Sequence, residues 1–126
     1  MKKVIETPNA PAPLGPYNQA IEVNNTLYIS GQIAIDPTTN ELITGDIETE
    51  TQRVLDNLNA VIQAAGFTKY QVVKTSIFIS NMDNFSKINA IYANYFDFEE
   101  APARETVAVK TLPKNVNIEI SAIAVK

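Results

Sequence analysis

The residues with the clearest chemical potential lie in the last quarter of the chain. Arg104 is one of only two arginines, and it stands just behind a proline at the start of an alternating run, residues 105–109. A turn at residues 112–115 leads into a second alternating run, which holds Glu119 between two isoleucines. A guanidinium binds a carboxylate through two parallel hydrogen bonds, and a carboxylate between isoleucines is partly desolvated unless it has a partner. We therefore predict that two strands joined by this turn set Arg104 and Glu119 beside one pocket.

Each of these residues also has a purely structural interpretation. Arg104 could form a surface salt bridge with Glu99 or Glu100. Its position at the start of a semi-buried strand favours carboxylate binding instead, because the rigid guanidinium fork suits that task. Glu119 could equally serve as an ion-pair partner, and the residue pattern leaves its two roles open. Tyr17, taken alone, is better explained as a core aromatic residue.

The composition excludes several catalytic mechanisms. The chain has no histidine and no cysteine, so Ser-His-Asp catalysis, thiolate nucleophiles, disulfides and the usual zinc sites are excluded. Its four glycines form neither a Walker loop nor a G-x-G-x-x-G turn. The net charge of −4 and the scattered basic residues argue against a nucleic-acid-binding surface. Any catalysis would then depend on carboxylates, arginine, lysine, tyrosine, hydroxyls or backbone amides.

The size and hydropathy of the chain predict a single soluble domain, residues 1–126. A hydrophobic content of 45% is sufficient for one real core. The sequence has no apolar run of about 18 residues and no leader with the pattern of a signal peptide. We therefore expect a cytoplasmic protein.

The spacing of apolar residues predicts the elements that position the candidate site. In order they are an edge strand at 2–6, a proline-rich extended segment at 7–16, strands at 17–23 and 27–32, a helix at 47–65, a strand at 72–79, a helix at 83–96, and strands at 104–109 and 116–125. The strand at 72–79 alternates, with Val73, Thr75, Ile77 and Ile79 on one face. Ser30 and Gly31 close an earlier strand, where a glycine permits a ligand to approach the backbone closely.

The first helix carries conventional start and stop signals. Glu48 and Glu50 favour its N-terminal end through the helix dipole, and Gly66 suits the position just after its end. Arg53 falls next to the apolar stripe and is predicted to be a solvated surface residue.

The order β-β-β-α-β-α-β-β predicts an α+β domain in which two helices pack on one face of a mixed sheet. The second face of that sheet is predicted to carry Phe78, Ala108, Ile123 and Val125, which is too apolar a surface to leave in water. A closed homo-oligomer is the simplest way to bury it.

The chain resembles the RidA (reactive intermediate deaminase A) family from about residue 7 to residue 125. The motifs that carry the resemblance, in family-like order and spacing, are Gly15-Pro16-Tyr17, Ser30-Gly31-Gln32-Ile33, Val73-Lys74-Thr75, Asn89, Pro102-Ala103-Arg104, Leu112-Pro113-Lys114 and Ile118-Glu119-Ile120 with residues 122–125. The resemblance implies a chorismate-mutase-like fold and a homotrimer with active sites in the clefts between subunits.

The resemblance also implies a reaction, the hydrolysis of 2-imino acids such as 2-iminobutanoate and 2-iminopropanoate. These arise from enamines that PLP-dependent threonine and serine dehydratases release, and the products are a 2-oxo acid and ammonia. No cofactor is implied, because an iminium carbon is already electrophilic. The implied partners are the small-molecule substrate and other copies of the chain, with no nucleic acid and no membrane.

The family's site residues carry over to named positions. Arg104 would hold the substrate carboxylate, Glu119 would position or activate the attacking water, and Tyr17 would close the pocket from the neighbouring subunit. The residues implied to line the pocket are Ser30, Gly31, Asn89 and Thr106. The chain departs from common family residues at three positions, with Ala101 in place of phenylalanine, Thr106 in place of cysteine and Ser121 in place of a second glutamate.

Two other functions compete with imine hydrolysis. The same fold and arginine could hold a small carboxylic acid without turnover, as a regulatory module, although such a binder has little use for a second acid at Glu119. Some relatives carry an endoribonuclease label, but the acidic pI and the absence of a basic-aromatic strip argue against that activity.

Overall fold

The computed structural model describes residues 1–126 as one six-stranded sheet with two helices packed on one face. The elements are β1 (Lys3–Ile5), β2 (Ala20–Val23), β3 (Thr26–Gln32), α1 (Ile47–Ala64), β4 (Val72–Ile79), α2 (Phe85–Tyr95), β5 (Ala103–Ala108) and β6 (Ile118–Val125). The predicted α+β class and the predicted order of strands and helices are confirmed. Neither helix is long and apolar enough to cross a membrane.

The order of strands in the sheet is β1-β2-β3-β6-β4-β5. β5 pairs with β4 in parallel, and every other neighbouring pair is antiparallel. Because β4 lies between β5 and β6, the prediction that the turn at 112–115 sets these two strands beside one pocket is wrong. The connection at residues 109–117 carries the chain past β4, so neighbours in sequence are not neighbours in the sheet.

The hairpin of β2 and β3 follows from the residues at its turn. Asn24 and Asn25 have φ angles of 51° and 61°, the left-handed conformation that a two-residue type I′ turn requires at both positions. Asparagine adopts this conformation more easily than most residues, so the predicted turn is confirmed. β2 begins at Ala20 rather than at the predicted Tyr17.

The first helix begins at the predicted Ile47 and ends at Ala64, one residue before the predicted end, and its cap at Asp46 was not predicted. Asp46 caps its N-terminus by accepting the backbone N–H of Thr49 at 2.8 Å, and Gly66, with a φ of 77°, follows its end. Arg53 is not the freely solvated side chain that was predicted. It is half-buried, and its Nε donates to Asn57 Oδ1 at 3.1 Å.

The second helix begins after a short 3₁₀ turn, Met82–Asn84. It buries Ile88 and Tyr92, and Phe96 is buried just past its end. This face packs with α1 and the helix side of the sheet in one apolar core.

A bulge at the start of β4 changes one predicted orientation. Val72 pairs with Ala124 and Lys74 pairs with Ile123, so the residue between them is extra on the β4 side. As a result Val73 is 47% exposed instead of facing the core with Thr75.

The face of the sheet that the helices leave uncovered, called the open face below, is apolar over much of its area. Strand register places these apolar side chains on it: Val4, Ile21, Val23, Tyr28, Phe78, Val107, Ile123 and Val125. Of the predicted members, Ala108 does not belong there. It pairs with Ile79, whose side chain is buried on the helix side.

Candidate active site

Arg104 lies on the edge strand β5 and points toward the helix side of the sheet. Its register partner on β4 is Thr75, which is fully buried on that side. The guanidinium Nη1 donates to Asn89 Oδ1 on α2 at 2.8 Å, and its central carbon lies 4.8 Å from the centre of the Tyr92 ring. The ring attracts the cation, so the helix fixes the position of the guanidinium.

No carboxylate of the chain pairs with Arg104. The only salt bridge joins Lys74 Nζ to Glu105 Oε1 at 2.7 Å, on the open face of the sheet. The alternative in which Glu99 or Glu100 neutralises Arg104 is therefore wrong. The guanidinium is held by an amide and by aromatic faces, and its positive charge is available to an anionic ligand.

A cavity of about 460 Å³, called the Arg104 cavity below, opens beside this guanidinium. Its walls are mostly apolar and include Phe96, Phe98 and Ala101, with Asn89 as the polar group next to the arginine. The Tyr92 hydroxyl lies 2.7 Å from the Thr75 hydroxyl, and burial raises the pKa of this tyrosine, so it remains a neutral platform.

Thr106 lies two residues after Arg104 and shares its side of the sheet, since it pairs with the buried Ile77. Its Oγ1 is buried and has no hydrogen-bond partner within the chain. A buried hydroxyl without a partner costs free energy, so this oxygen is a group that a ligand or another copy of the chain would satisfy.

Glu119 occupies the opposite face of the sheet. It pairs with Phe78 and alternates with Ile118 and Ile120, whose side chains are fully buried under the helices. The Glu119 side chain is half-buried, and this burial raises the pKa of its carboxyl above the ordinary value. No cation lines the cavity beside it, so nothing offsets the desolvation of its charge.

The cavity beside Glu119, called the Glu119 cavity below, has a volume of about 40 Å³. Its walls include Tyr17, Gly31 and Pro113. This volume accommodates about one water molecule rather than a metabolite. The cavity therefore suits the placement of a small reactant next to a carboxylate.

Gly31 is required by the position of the Glu119 side chain. A Cβ atom added to Gly31 would lie 2.6 Å from both Cδ and Oε2 of that side chain. Ser30 and Gly31 also form the irregular part of the β3–β6 pairing, between Ile29 and Gln32. The close approach to Gly31 that was predicted for a ligand is made in the structure by the Glu119 side chain.

Tyr17 is not the core residue that the sequence alone favours, since it is 45% exposed. Its hydroxyl accepts the backbone N–H of Leu14 at 3.0 Å, and its ring lines the Glu119 cavity. Ser30 lies nearby, but its Oγ donates to the Asn18 carbonyl at 2.6 Å and does not line that cavity.

Gln19 was not predicted, and it organises the proline-rich wall of the Glu119 cavity. Its buried carboxamide accepts the Thr7 backbone N–H at 2.7 Å and donates to the carbonyls of Thr7, Ala10 and Pro11. The available signal was a polar residue next to a strand start with four prolines just before it. Such a segment lacks backbone donors, so its carbonyls need a donor from elsewhere.

Tyr92 was predicted only as a core residue, yet its ring lies under the Arg104 guanidinium. Phe85, Asn89 and Tyr92 follow one another at intervals of four and three residues, which places them on one stripe of α2. An asparagine within an aromatic stripe was the signal that this helix face also orients a polar group.

The structure thus separates the predicted site residues into two groups. Arg104 and Asn89 line the Arg104 cavity on the helix side, with Thr106 next to them on β5. Tyr17, Gly31 and Glu119 line the Glu119 cavity on the other side. Within one chain the guanidinium and the carboxylate do not meet.

Comparison with known proteins establishes the family. Residues 7–126 match the family described as endoribonuclease L-PSP. The chain belongs to the RidA family. It is similar to a RutC family protein of Pyrococcus horikoshii, with 51% identity over 126 residues that cover 100% of this chain and 99% of the relative.

Two further relatives of the RidA family bear on function and fold. A protein of Dermatophagoides farinae named 2-iminobutanoate/2-iminopropanoate deaminase is 47% identical over 124 residues, covering 98% of this chain and 96% of that protein. The crystal structure of a Rid family protein of unknown function from Yersinia pestis superposes with a TM-score of 0.97 at 52% identity and covers 100% of both chains.

Proposed function

We propose that this protein is a 2-imino acid deaminase that hydrolyses 2-iminobutanoate and 2-iminopropanoate to 2-oxo acids and ammonia. The observation that carries the proposal is the Arg104 guanidinium, which Asn89 and Tyr92 orient while no carboxylate of the chain neutralises it. A guanidinium held in this way can bind the carboxylate that every 2-imino acid carries through two parallel hydrogen bonds. The similarity to the named deaminase of Dermatophagoides farinae supports the choice of substrate.

The proposed reaction begins with the addition of water to the C=N carbon. Glu119 accepts a proton from the water as the new C–O bond forms, and the electron pair of the C=N bond moves to nitrogen. A proton returned to nitrogen makes it an ammonium leaving group, and the C–N bond then breaks as the new hydroxyl loses its proton and forms the C=O bond, which releases ammonia and leaves the 2-oxo acid. A carboxyl whose pKa is raised by burial is a stronger base than an ordinary one, which suits this role.

We further propose that the complete site forms between two copies of the chain in a homotrimer. Two features support this arrangement. Arg104 and Glu119 lie on opposite faces of the sheet, so one chain cannot supply both to one substrate. The open face exposes Val4, Tyr28, Val107 and Val125 by 40% or more each, a surface that a second copy would cover.

The proposal is tested by coupling the purified protein to a threonine dehydratase and following the release of 2-oxobutanoate and ammonia. We expect acceleration over the uncatalysed hydrolysis, and we expect Arg104→Ala and Glu119→Gln each to abolish it. Lys87→Ala and Glu99→Gln are matched controls, because they make the same charge changes at exposed side chains and should behave as wild type.

Two other outcomes would assign a different role. If wild type only matches the uncatalysed rate while 2-oxobutanoate binds and Arg104→Ala abolishes that binding, the protein is a carboxylate-binding module. If turnover is present but Glu119→Gln retains it, the hydrolysis is real and the role of Glu119 is wrong.

A further inference from the structure

Outside the two cavities, one carboxyl group of the chain is completely buried. Glu50 lies in the first turn of α1 and has no solvent-accessible surface. Its Oε2 accepts the backbone N–H of Asn117 at 2.7 Å, and its Oε1 accepts the Asn117 side-chain amide at 2.8 Å. A buried carboxylate is costly unless its oxygens are hydrogen-bonded, so the pair is a specific connection between α1 and the start of β6.

Asn117 uses its other polar groups on the end of β4. Its Oδ1 accepts the Ser80 hydroxyl at 3.1 Å, and its backbone carbonyl accepts the Ser80 N–H at 3.1 Å. Both backbone groups and both side-chain groups of Asn117 are therefore engaged. The residue is fixed from the helix layer by Glu50 and from the sheet by Ser80.

The connection matters because Glu119 follows Asn117 by two residues. On one side, Glu119 is paired with Phe78 of β4. On the other side, the pairing of β6 with β3 ends at Ile120, opposite Gln32, beyond the irregular stretch of β3. The segment that carries Glu119 is thus paired on the β4 side alone, and at its N-terminal end Glu50 adds hydrogen bonds from the helix layer.

We propose that Glu50 is a positioning residue for Glu119 and acts through Asn117. This inference rests on the proposed function, in which Glu119 directs the attacking water. Glu50 holds the start of β6, and Gly31 leaves the space into which the Glu119 carboxylate then extends. A displacement of about 1 Å at a reacting group can reduce turnover by about a hundredfold, so this connection controls rate rather than substrate affinity.

The Glu50–Asn117 pair can be tested by exchanging the carboxylate and the amide between the two positions. Glu50→Gln keeps one acceptor but sets an NH₂ group against a donor of Asn117. Asn117→Asp alone sets two carboxylates against each other. In the double variant Glu50→Gln/Asn117→Asp, the new amide oxygen accepts the backbone N–H and the new NH₂ donates to the new carboxylate. The backbone bond is therefore kept, and the side-chain bond returns with donor and acceptor exchanged.

The test measures kcat and KM in the dehydratase-coupled assay, well below the unfolding temperature of each variant. We expect Glu50→Gln to lower kcat by about tenfold with KM changed by less than about twofold, and the double variant to recover most of the loss. Glu48→Gln is the matched control, because it removes a carboxylate from the same helical turn and makes no contact with Asn117. It should retain the kcat of wild type.

Retention of the full kcat in Glu50→Gln would overturn the inference, as would equal losses in the single and double variants. Should Glu50→Gln fail to fold, the comparison of Asn117→Asp with the double variant gives the same answer, since recovery requires the exchanged pair.

A second readout separates this inference from the proposed function. If wild type shows no turnover, the proposed function fails, and the position of Glu119 is then followed by the ¹³C signal of its side-chain carboxyl in solution. We expect that signal to shift in Glu50→Gln and to return in the double variant. A signal that does not move in Glu50→Gln would overturn the positioning role independently of catalysis.

Discussion

The Arg104 cavity lies beside α2 at one edge of the sheet, whereas the Glu119 cavity lies on the opposite face and is lined in part by the proline-rich segment. The first holds about 460 Å³ and presents a cation on aromatic rings. The second holds about 40 Å³ and presents a carboxylate without a cation beside it. One has room for a metabolite and the other for about one water molecule.

The difference shows how two charged groups can be kept reactive in one small domain. If Arg104 and Glu119 lay side by side in one chain, they would form an ion pair and neutralise each other. On opposite faces each remains without a counter-ion within its chain, and Arg104 is held by uncharged neighbours while Gly31 leaves the space for Glu119. Within one chain the separation leaves both charges unpaired, and the proposed reaction uses them as an anion-binding group and a base once a second copy completes the site.

The largest effect is expected from a change that keeps the positive charge of the Arg104 cavity but removes the planar guanidinium group. Arg104→Lys should lower kcat/KM by about a hundredfold, because an ammonium cannot bind a carboxylate at two points or lie flat over Tyr92. The measurement is the dehydratase-coupled assay with varied substrate supply. The control is Lys87→Arg, the reverse exchange at an exposed position of α2, which should leave kcat/KM unchanged. A kcat/KM for Arg104→Lys close to that of wild type would show that a positive charge alone suffices for substrate binding.

A smaller loss, about tenfold in kcat, is expected when the Glu119 cavity is altered without touching a charge. In Gly31→Ala the new Cβ would lie 2.6 Å from the Glu119 carboxyl, and that flexible side chain must turn away. Gly45→Ala is the matched control, because a Cβ there meets nothing within 4 Å. Full activity in Gly31→Ala, at an unchanged unfolding temperature, would show that the observed carboxylate position is not the working one.

The proposal that the two cavities act together across copies predicts complementation. Arg104→Ala and Glu119→Gln, each inactive alone, should regain about a quarter of wild-type activity when unfolded together and refolded as a mixture. In a random mixture about one interface in four combines an intact guanidinium with an intact carboxylate. Separately refolded proteins mixed afterwards, without exchange of subunits, are the control. A jointly refolded mixture that stays inactive would place both groups of the site in a single chain.

The smallest effect concerns stability and its dependence on pH. Burial raises the pKa of Glu119 in the fold, so its contribution to stability is fully present below the unfolded pKa and is lost as pH rises through the folded pKa. As pH rises from about 4 to about 7, the free energy of unfolding of Glu119→Gln should therefore increase relative to that of wild type. The increase should be less than about 1 kcal/mol because the group is half exposed.

Urea unfolding of both proteins at the two pH values measures this difference, with the exposed Glu99→Gln as control. The acid limb of the pH–rate profile should likewise lie above the ordinary carboxyl value of 4.5. A variant that loses stability relative to wild type as pH rises would mean that an unrecognised cation neighbours Glu119.

Local patterns predicted the elements well because their causes are local. The apolar stripe of α1, its stop at Gly66 and the turn at Asn24 and Asn25 depend on residues that are close in sequence. The α+β class followed from the order of those elements, and the family resemblance named some residues of each cavity, Arg104 and Asn89 in one and Tyr17, Gly31 and Glu119 in the other.

The arrangement of the site was harder to predict because it depends on contacts between distant segments. Alternation within β5 groups Arg104 with Thr106 and Ala108, but only the pairing with β4 decides which side of the sheet they occupy. The crossing of β4 by the chain between β5 and β6 leaves no local signature. The difference between Glu48 and Glu50 has no local signature either. Both are acidic residues in the first turn of α1, and only the contact with Asn117, far along the chain, distinguishes Glu50.

The attachment of the proline-rich segment has a consequence for local unfolding. A strand is held by hydrogen bonds spread along its length, whereas this segment has the carboxamide of one residue, Gln19, at the centre of its contacts with Thr7, Ala10 and Pro11. With hydrogen bonds worth about 0.5–1.5 kcal/mol each, the hydrogen-bond free energy that holds this wall in place is concentrated in a single side chain, while Ala10 anchors the same segment in the core. We therefore expect the segment to detach from the domain as one cooperative unit rather than residue by residue.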